Sequence, residues 1–238
     1  MQRIVQGALV VLVLPLLACQ SAPPRGAFVD VTATPGYDAA AVGTAAYVGL
    51  AAAAATPKEA LPIVEPRVEQ HLRNQQLPFV LLASDEVERR AQSAGGAEQL
   101  QTVRNYWRDA KKIDKFAVAD LGGAIGADAL LVGWIDDWTQ VDATQESADA
   151  SFTRIGARLR LISVDTGATL WEVAATRTSE SESIEQDAGA GDEFDTARRR
   201  ELQRSARVRA LSTGVGPPRF EDVADEVAAL LAGAVADS

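Results

Sequence analysis

The chain has 238 residues, with 33 acids against 23 lysines and arginines and a formal charge of −10. That balance argues against a nucleic-acid partner and against attraction to anionic membrane surfaces. One cysteine and one histidine exclude an intramolecular disulfide and a cysteine–histidine zinc site of the usual kind, and the length suits one domain plus tails.

Residues 1–18 read as a removed export signal. Arg3 gives a positive start, and Gly7 to Ala18 is an uncharged apolar run of 12 residues containing Pro15. That is well short of the roughly 20 residues a membrane-crossing helix needs. The run ends in Leu16-Leu17-Ala18-Cys19, which resembles the lipobox of bacterial lipoproteins. The resemblance implies that Cys19 is acylated and becomes the mature N-terminus. Gln20, standing where an aspartate favours the inner membrane, implies the outer membrane. Each buried acyl CH₂ contributes about 0.8 kcal/mol, so several chains hold a protein where one does not. Removing Arg3 with the signal takes the charge from −10 to −11, which leaves attachment to the lipid.

Residues 19–45 are rich in Ala, Gly, Pro and Thr without helical periodicity, and read as a lipidated N-terminus and tether. If flexible, about 25 such residues reach on the order of 25–30 Å. FVDVT within them fits a short strand that docks part of the tether. The remainder, 46–238, reads as a single α/β domain. AYVGLAAA gives a first buried strand, and a helix is expected to begin between Pro62 and Pro66, with Val64, Val68 and Leu72 as its apolar stripe. LPFVLLAS is the next strand. Ser84-Asp85-Glu86-Val87-Glu88 carries the acids and cap residue of a helix start. AEQLQTVRNYWRDAKK gives another helix, and FAVADLGGAIGA one broken at its glycine pair.

ADALLVGWIDDW reads as a long strand. In FTRIGARLRLISV, Ile155, Ala157, Leu159 and Leu161 alternate with Arg154, Arg158 and Arg160, so one sheet face is packed and the other solvated or covered by partners. Asp165-Thr166-Gly167 turns the chain into ATLWEVAATRT, the hairpin partner. After Pro217-Pro218, Phe220, Val223, Val227, Leu230, Leu231 and Ala234 form the apolar face of a C-terminal amphipathic helix. The fold expected is an α/β sandwich, a mixed sheet of about five strands with helices packed on it.

GADALLVGWIDDW, ARLRLISVDTGATLWEVAA and the final helix together resemble a broad group of bacterial envelope lipoproteins. The group includes the curli-secretion lipoprotein family, the penicillin-binding-protein activator lipoproteins, and lipoproteins with a TolB-N-terminal-like α/β domain. The resemblance covers residues 46–178 and 217–236. It departs from the group at YVGLAAAAA, which replaces the usual polar-aromatic first strand, and at 179–216, an insertion without a counterpart.

No catalytic constellation stands out. His71 lies in a helical stretch, on a solvated or half-buried face, with no nucleophile motif to serve. Gly122, Gly123, Gly126 and Gly133 fit close helix–strand packing better than phosphate binding, since no lysine follows and a helix precedes the strand. Asp136 and Asp137, adjacent on a strand, are expected on opposite faces, which prevents them from sharing a substrate proton. Residues 180–195 hold seven acids and no base, and 196–209 hold six arginines and one acid. This segregation reads as a self-neutralising surface excursion or as a docking element. In the second reading Arg198, Arg199, Arg200 and Arg204 bind carboxylates or phosphates of a partner in forked pairs.

The function expected is that of a non-catalytic, lipid-anchored outer-membrane protein facing the periplasm, an accessory or assembly factor for another envelope protein. It needs no cofactor, no metal and no nucleic acid, and it is compatible with oligomers. A subunit of a curli-type secretion pore and a peptidoglycan- or glycan-active enzyme are the alternatives. The pore requires alternating apolar hairpins of about 10 residues per strand, which the charged 179–216 segment does not supply. The enzyme requires a convergent acid–base set.

Overall fold

The computed structural model describes residues 26–110, 114–142, 151–181 and 216–238. Cys19 and the four arginines Arg198, Arg199, Arg200 and Arg204 lie outside them. The described elements run β1 (Gly26–Ala33), β2 (Thr44–Ala52), α1 (Ala60–Asn74), β3 (Val80–Leu82), α2 (Ser84–Ser93), α3 (Ala97–Ala110), α4 (Lys115–Ile125), β4 (Ala129–Val141), β5 (Phe152–Ser163), β6 (Thr169–Glu180) and α5 (Phe220–Ala236). The strands form one mixed six-stranded sheet in the order β1-β6-β5-β4-β2-β3, one strand more than expected. The extra strand is β1, which holds FVDVT and pairs antiparallel with β6 from Gly26↔Thr178 to Ala33↔Trp171. The sheet therefore begins inside the segment read as a tether. At the other side of the excursion, β6 continues through residues 179 and 180.

Both faces of the sheet carry helices, but unequally. One core packs α1 and α5 against inward residues of β2, β4, β5 and β6, among them Tyr47, Leu131, Ile135, Ile155, Leu159 and Trp171. The alternating residues Ile155, Ala157, Leu159 and Leu161 lie on that face, as their period requires. The second core packs α2, α3 and α4 on Ala46, Val48, Leu130 and Val132, with Trp107 as its largest side chain. It covers the β2–β4 side of the sheet and the end of β5 at Ile162, and leaves the rest of the antiparallel half, most of β5 with β6 and β1, without a helix among the described residues on that face.

Two helices differ from expectation. The first begins at Ala60, placing Pro62 in the permissive first turn, but it also runs through Pro66. Pro66 removes one helix hydrogen bond, and the Arg67 guanidinium donates to the Ile63 carbonyl at 2.6 Å in the same turn. Burial of Val64, Val68 and Leu72 holds the segment helical despite the proline. The glycine pair does not break α4. Gly122 is buried where a Cβ would run into the side chain of Val164, so close packing explains it, whereas Gly123 faces open space. Gly126 ends the helix with a left-handed C-cap at φ 68°.

The two sheet edges are finished differently. β3 pairs with β2 only over Thr44–Ala46, so the outer side of β2 runs on without a neighbouring strand. Side chains close it. The Leu50 N–H donates to Glu65 Oε1 of α1 at 3.0 Å, and Arg104 Nε of α3 donates to the Val48 carbonyl at 3.0 Å. A very short edge strand followed by charged plugs prevents another strand from adding there. At the other edge β1 shows seven of its eight residues exposed.

Candidate interaction surface

The half of the sheet that no described helix covers carries a ladder of arginines and carboxylates built by strand periodicity. Arg154, Arg158 and Arg160 alternate on β5 and meet Asp137 and Asp136 from β4 and Glu172 from β6. Arg154 Nε reaches Asp137 Oδ2 at 2.6 Å, Arg158 Nε reaches Asp136 Oδ2 at 2.6 Å, and Arg160 Nη2 reaches Glu172 Oε2 at 2.6 Å. Asp136 above all, with Glu172, raises the Arg158 guanidinium above its ordinary value. Below the ladder Trp134 meets Trp107 edge to face at 5.3 Å, and Arg160 lies over both rings.

Asp136 and Asp137 are not on opposite faces, contrary to the expectation from alternation. The β4–β5 register shifts between Ile135 and Asp137, inserting Asp136 as a bulge. Both carboxylates thereby reach arginines of the same β5 face. The bulge also reverses the tryptophans. Trp134 belongs with the ladder, while Trp138 stacks on Phe220 of α5 at 4.0 Å with rings 6° from parallel. Gly156 makes room for the bulge, since a Cβ there would lie 2.7 Å from Asp136 Oδ1. Each aspartate is committed to its own arginine, so the pair forms no acid–base couple of the kind general catalysis needs.

Beside the Trp138–Phe220 stack, the chain entering α5 is latched to the sheet. Thr153 Oγ1 donates to the Pro218 carbonyl at 2.5 Å, and Gln140 Nε2 donates to the same carbonyl at 3.0 Å. Arg177 of β6 pairs with Glu226 of α5 on the packed side. Both ends of the 182–215 excursion, at Ser181 and Gly216, therefore leave from one end of the sheet. Gly26 opposite Thr178 is at that same end.

Several other charged groups have structural duties. His71 is half-buried on α1, with Nε2 2.9 Å from Asp225 Oδ1 of α5. Asp128, the aspartate of the G-A-D motif, accepts the Thr44 N–H at 2.8 Å and fixes the start of β2 beside β4. Glu69 accepts from the Ser84 N–H at 2.9 Å and its hydroxyl at 2.7 Å, so a carboxylate from α1 serves the α2 N-terminus in place of the cap expected from Ser84. Burial pushes the Glu69 carboxyl up, but bonds from Arg73 and Ser84 outweigh it and hold it below its ordinary value. Burial, against the Leu50 bond and Arg104, raises Glu65. Among the described residues no group of three or more His, Cys, Asp or Glu is placed to hold a metal ion. No described helix is long and apolar enough to cross a membrane.

Sequence periodicity found the ladder arginines but not their aspartate partners Asp136 and Asp137, whose shared face depends on the bulge. The Glu65 and Arg104 plugs carry no sequence signal, because each meets a backbone group brought near only by the fold.

No known protein family and no curated protein matches the chain. Among solved structures it is similar to a PelC dodecamer from Paraburkholderia phytofirmans, with 18% identity over 86% of this chain and 97% of that one, at a TM-score of 0.41. It is similar to lipoprotein GNA1162 from Neisseria meningitidis, with 14% identity over 72% and 99% at 0.39. The LpoB C-terminal domain from Salmonella enterica gives 10% identity over 56% and 81% at 0.33.

Proposed function

We propose that this chain is a non-catalytic, lipid-anchored outer-membrane protein facing the periplasm, where it binds another cell-envelope protein as an accessory or assembly factor. The observation that carries this reading is the place of Cys19, the only thiol, at the end of an export signal in a lipobox-like setting. The commitment of the sheet's charged side chains supports the non-catalytic part. Asp136, Asp137 and Glu172 are each held by an arginine, and Glu65 and Glu69 each serve a backbone group. The docking element proposed is the arginine-rich stretch, with Arg198, Arg199, Arg200 and Arg204 forking onto carboxylates of the partner.

Crosslinking in intact envelopes, followed by capture of the full chain, tests this. Neutralising the four arginines abolishes the crosslinked partner while membrane fractionation and thermal melting stay as in wild type. Unaltered capture returns the segment to a solvated excursion.

A further inference from the structure

We propose that the outer edge of β1 pairs antiparallel with the β1 of a second copy of this chain, closing two sheets into one across a two-fold axis. The edge itself asks for a strand. Phe28, Val29 and Val31 account for three of the six exposed large hydrophobics described, with Phe28 at 52% and Val31 at 47% exposure. β1 contains no proline and no lysine, and Asp30 is its only charge. It therefore lacks the devices that protect an edge, while the opposite edge has them in β3's three residues and the Glu65 and Arg104 plugs. Among the described residues one edge is open and one closed, which gives a finite pair, because a self-complementary contact uses up that open edge in both copies.

The chain's own neighbouring segments favour this occupant. If Cys19 is the mature N-terminus, a step that rests on the lipid-anchor reading, only residues 20–25 precede β1, and Pro23 and Pro24 lack the N–H groups a ladder needs. After a turn, six residues cannot supply a strand to match eight. Residues 143–150 join β4 to β5, with β6 between that hairpin and β1.

Overlap and charge together select the register, since among even sums only 58 and 60 pair seven of the eight residues. Pairs on a common face require that the two residue numbers sum to an even value. A sum of 60 sets Asp30 against Asp30, a like-charge pair, whereas a sum of 58 sets Val29 against Val29 and Ala27 against Val31. Val29 then lies on the two-fold axis. A single strand pairing buries less than about 1,200 Å², the area at which stable interfaces begin. Confinement of anchored copies to one membrane raises their effective concentration, so pairing belongs to the membrane.

The wild-type chain has no thiol but Cys19, so an introduced cysteine reports alone. Full-length Val29→Cys, oxidised in intact envelopes, gives a disulfide-linked dimer. Val31→Cys, on the same face but about 14 Å from its copy in this register, gives at least tenfold less. Both variants should fractionate and melt as wild type. A folded, membrane-bound Val29→Cys that stays monomeric overturns the pairing. Equal linking at 29 and 31 overturns it too, as does linking to a different protein. If the thiol at 29 stays monomeric and is also blocked from an aqueous maleimide, the edge is covered by the bilayer or by residues 182–215 instead. Oxidative dimers of the wild type count against acylation of Cys19, and so separate failure of that reading from failure of the pairing.

Discussion

Glu65 sits where two effects of one carboxylate oppose each other, and substitutions separate them. Its Oε1 accepts the Leu50 N–H at 3.0 Å on the plugged edge of β2. Burial raises its pKa from the ordinary 4.5, outweighing the Leu50 bond and Arg104. A carboxyl with a raised folded-state pKa takes up its proton more readily in the folded state. Its contribution to stability is therefore fully present below the unfolded value and is lost as pH rises through the folded value. Glu65→Gln keeps an acceptor for Leu50 and discards the charge, so at pH 7 it should be as stable as wild type or more so. As pH falls to 4 wild type regains the Glu65 contribution, so any advantage of Glu65→Gln should shrink. Glu65→Ala removes the acceptor. On a part-buried edge that water partly reaches, the loss is about 1 kcal/mol at pH 7. Urea unfolding followed by tryptophan fluorescence measures all three proteins, with the denaturant slope unchanged if the folded state is kept. An advantage of Glu65→Gln that grows as pH falls would refute the reasoning, as would a Glu65→Gln protein weaker than Glu65→Ala at pH 7.

Three further outcomes follow from packing. Gly156→Ala puts a methyl group 2.7 Å from Asp136 Oδ1 and should cost about 1–3 kcal/mol in urea unfolding, because the bulge must shift. Trp171, 1% exposed at the centre of the α5-side core, should cost about 3–5 kcal/mol as Trp171→Ala, and a loss under 1 kcal/mol would contradict its placement. Replacing 182–215 with a short Gly/Ser linker should leave melting nearly unchanged, since loop length alters closure entropy only weakly. Unfolding on that replacement would make the segment structural.

Most of the sheet was legible because β5 and β6 obey simple periodicity. Ile155, Ala157, Leu159 and Leu161 face the core as their spacing requires, and Trp171 of the hairpin motif is fully buried. What escaped depends on contacts distant in sequence. One inserted residue, Asp136, reverses the alternation beyond it, and nothing in WIDDW distinguishes a bulged strand from a regular one. Pro66 reads as a helix boundary, yet the stripe of Val64, Val68 and Leu72 carries the helix through it. The glycine pair reads as a break until Val164 is seen against Gly122. FVDVT was visible as a short strand, but β1 extends to eight residues because β6 is long enough to pair with all of them. The lipid anchor proposed at Cys19 and the docking role proposed for the arginines rest on sequence alone.

Fractionation of Cys19→Ser tests the central claim most directly. The wild-type chain, expressed with its export signal, should sediment with the outer membrane and resist extraction by salt. Cys19→Ser, still exported, should appear in the soluble periplasmic fraction with the melting behaviour of wild type. A signal-processed Cys19→Ser protein that stays with the membrane would contradict the lipid anchor and the account built on it.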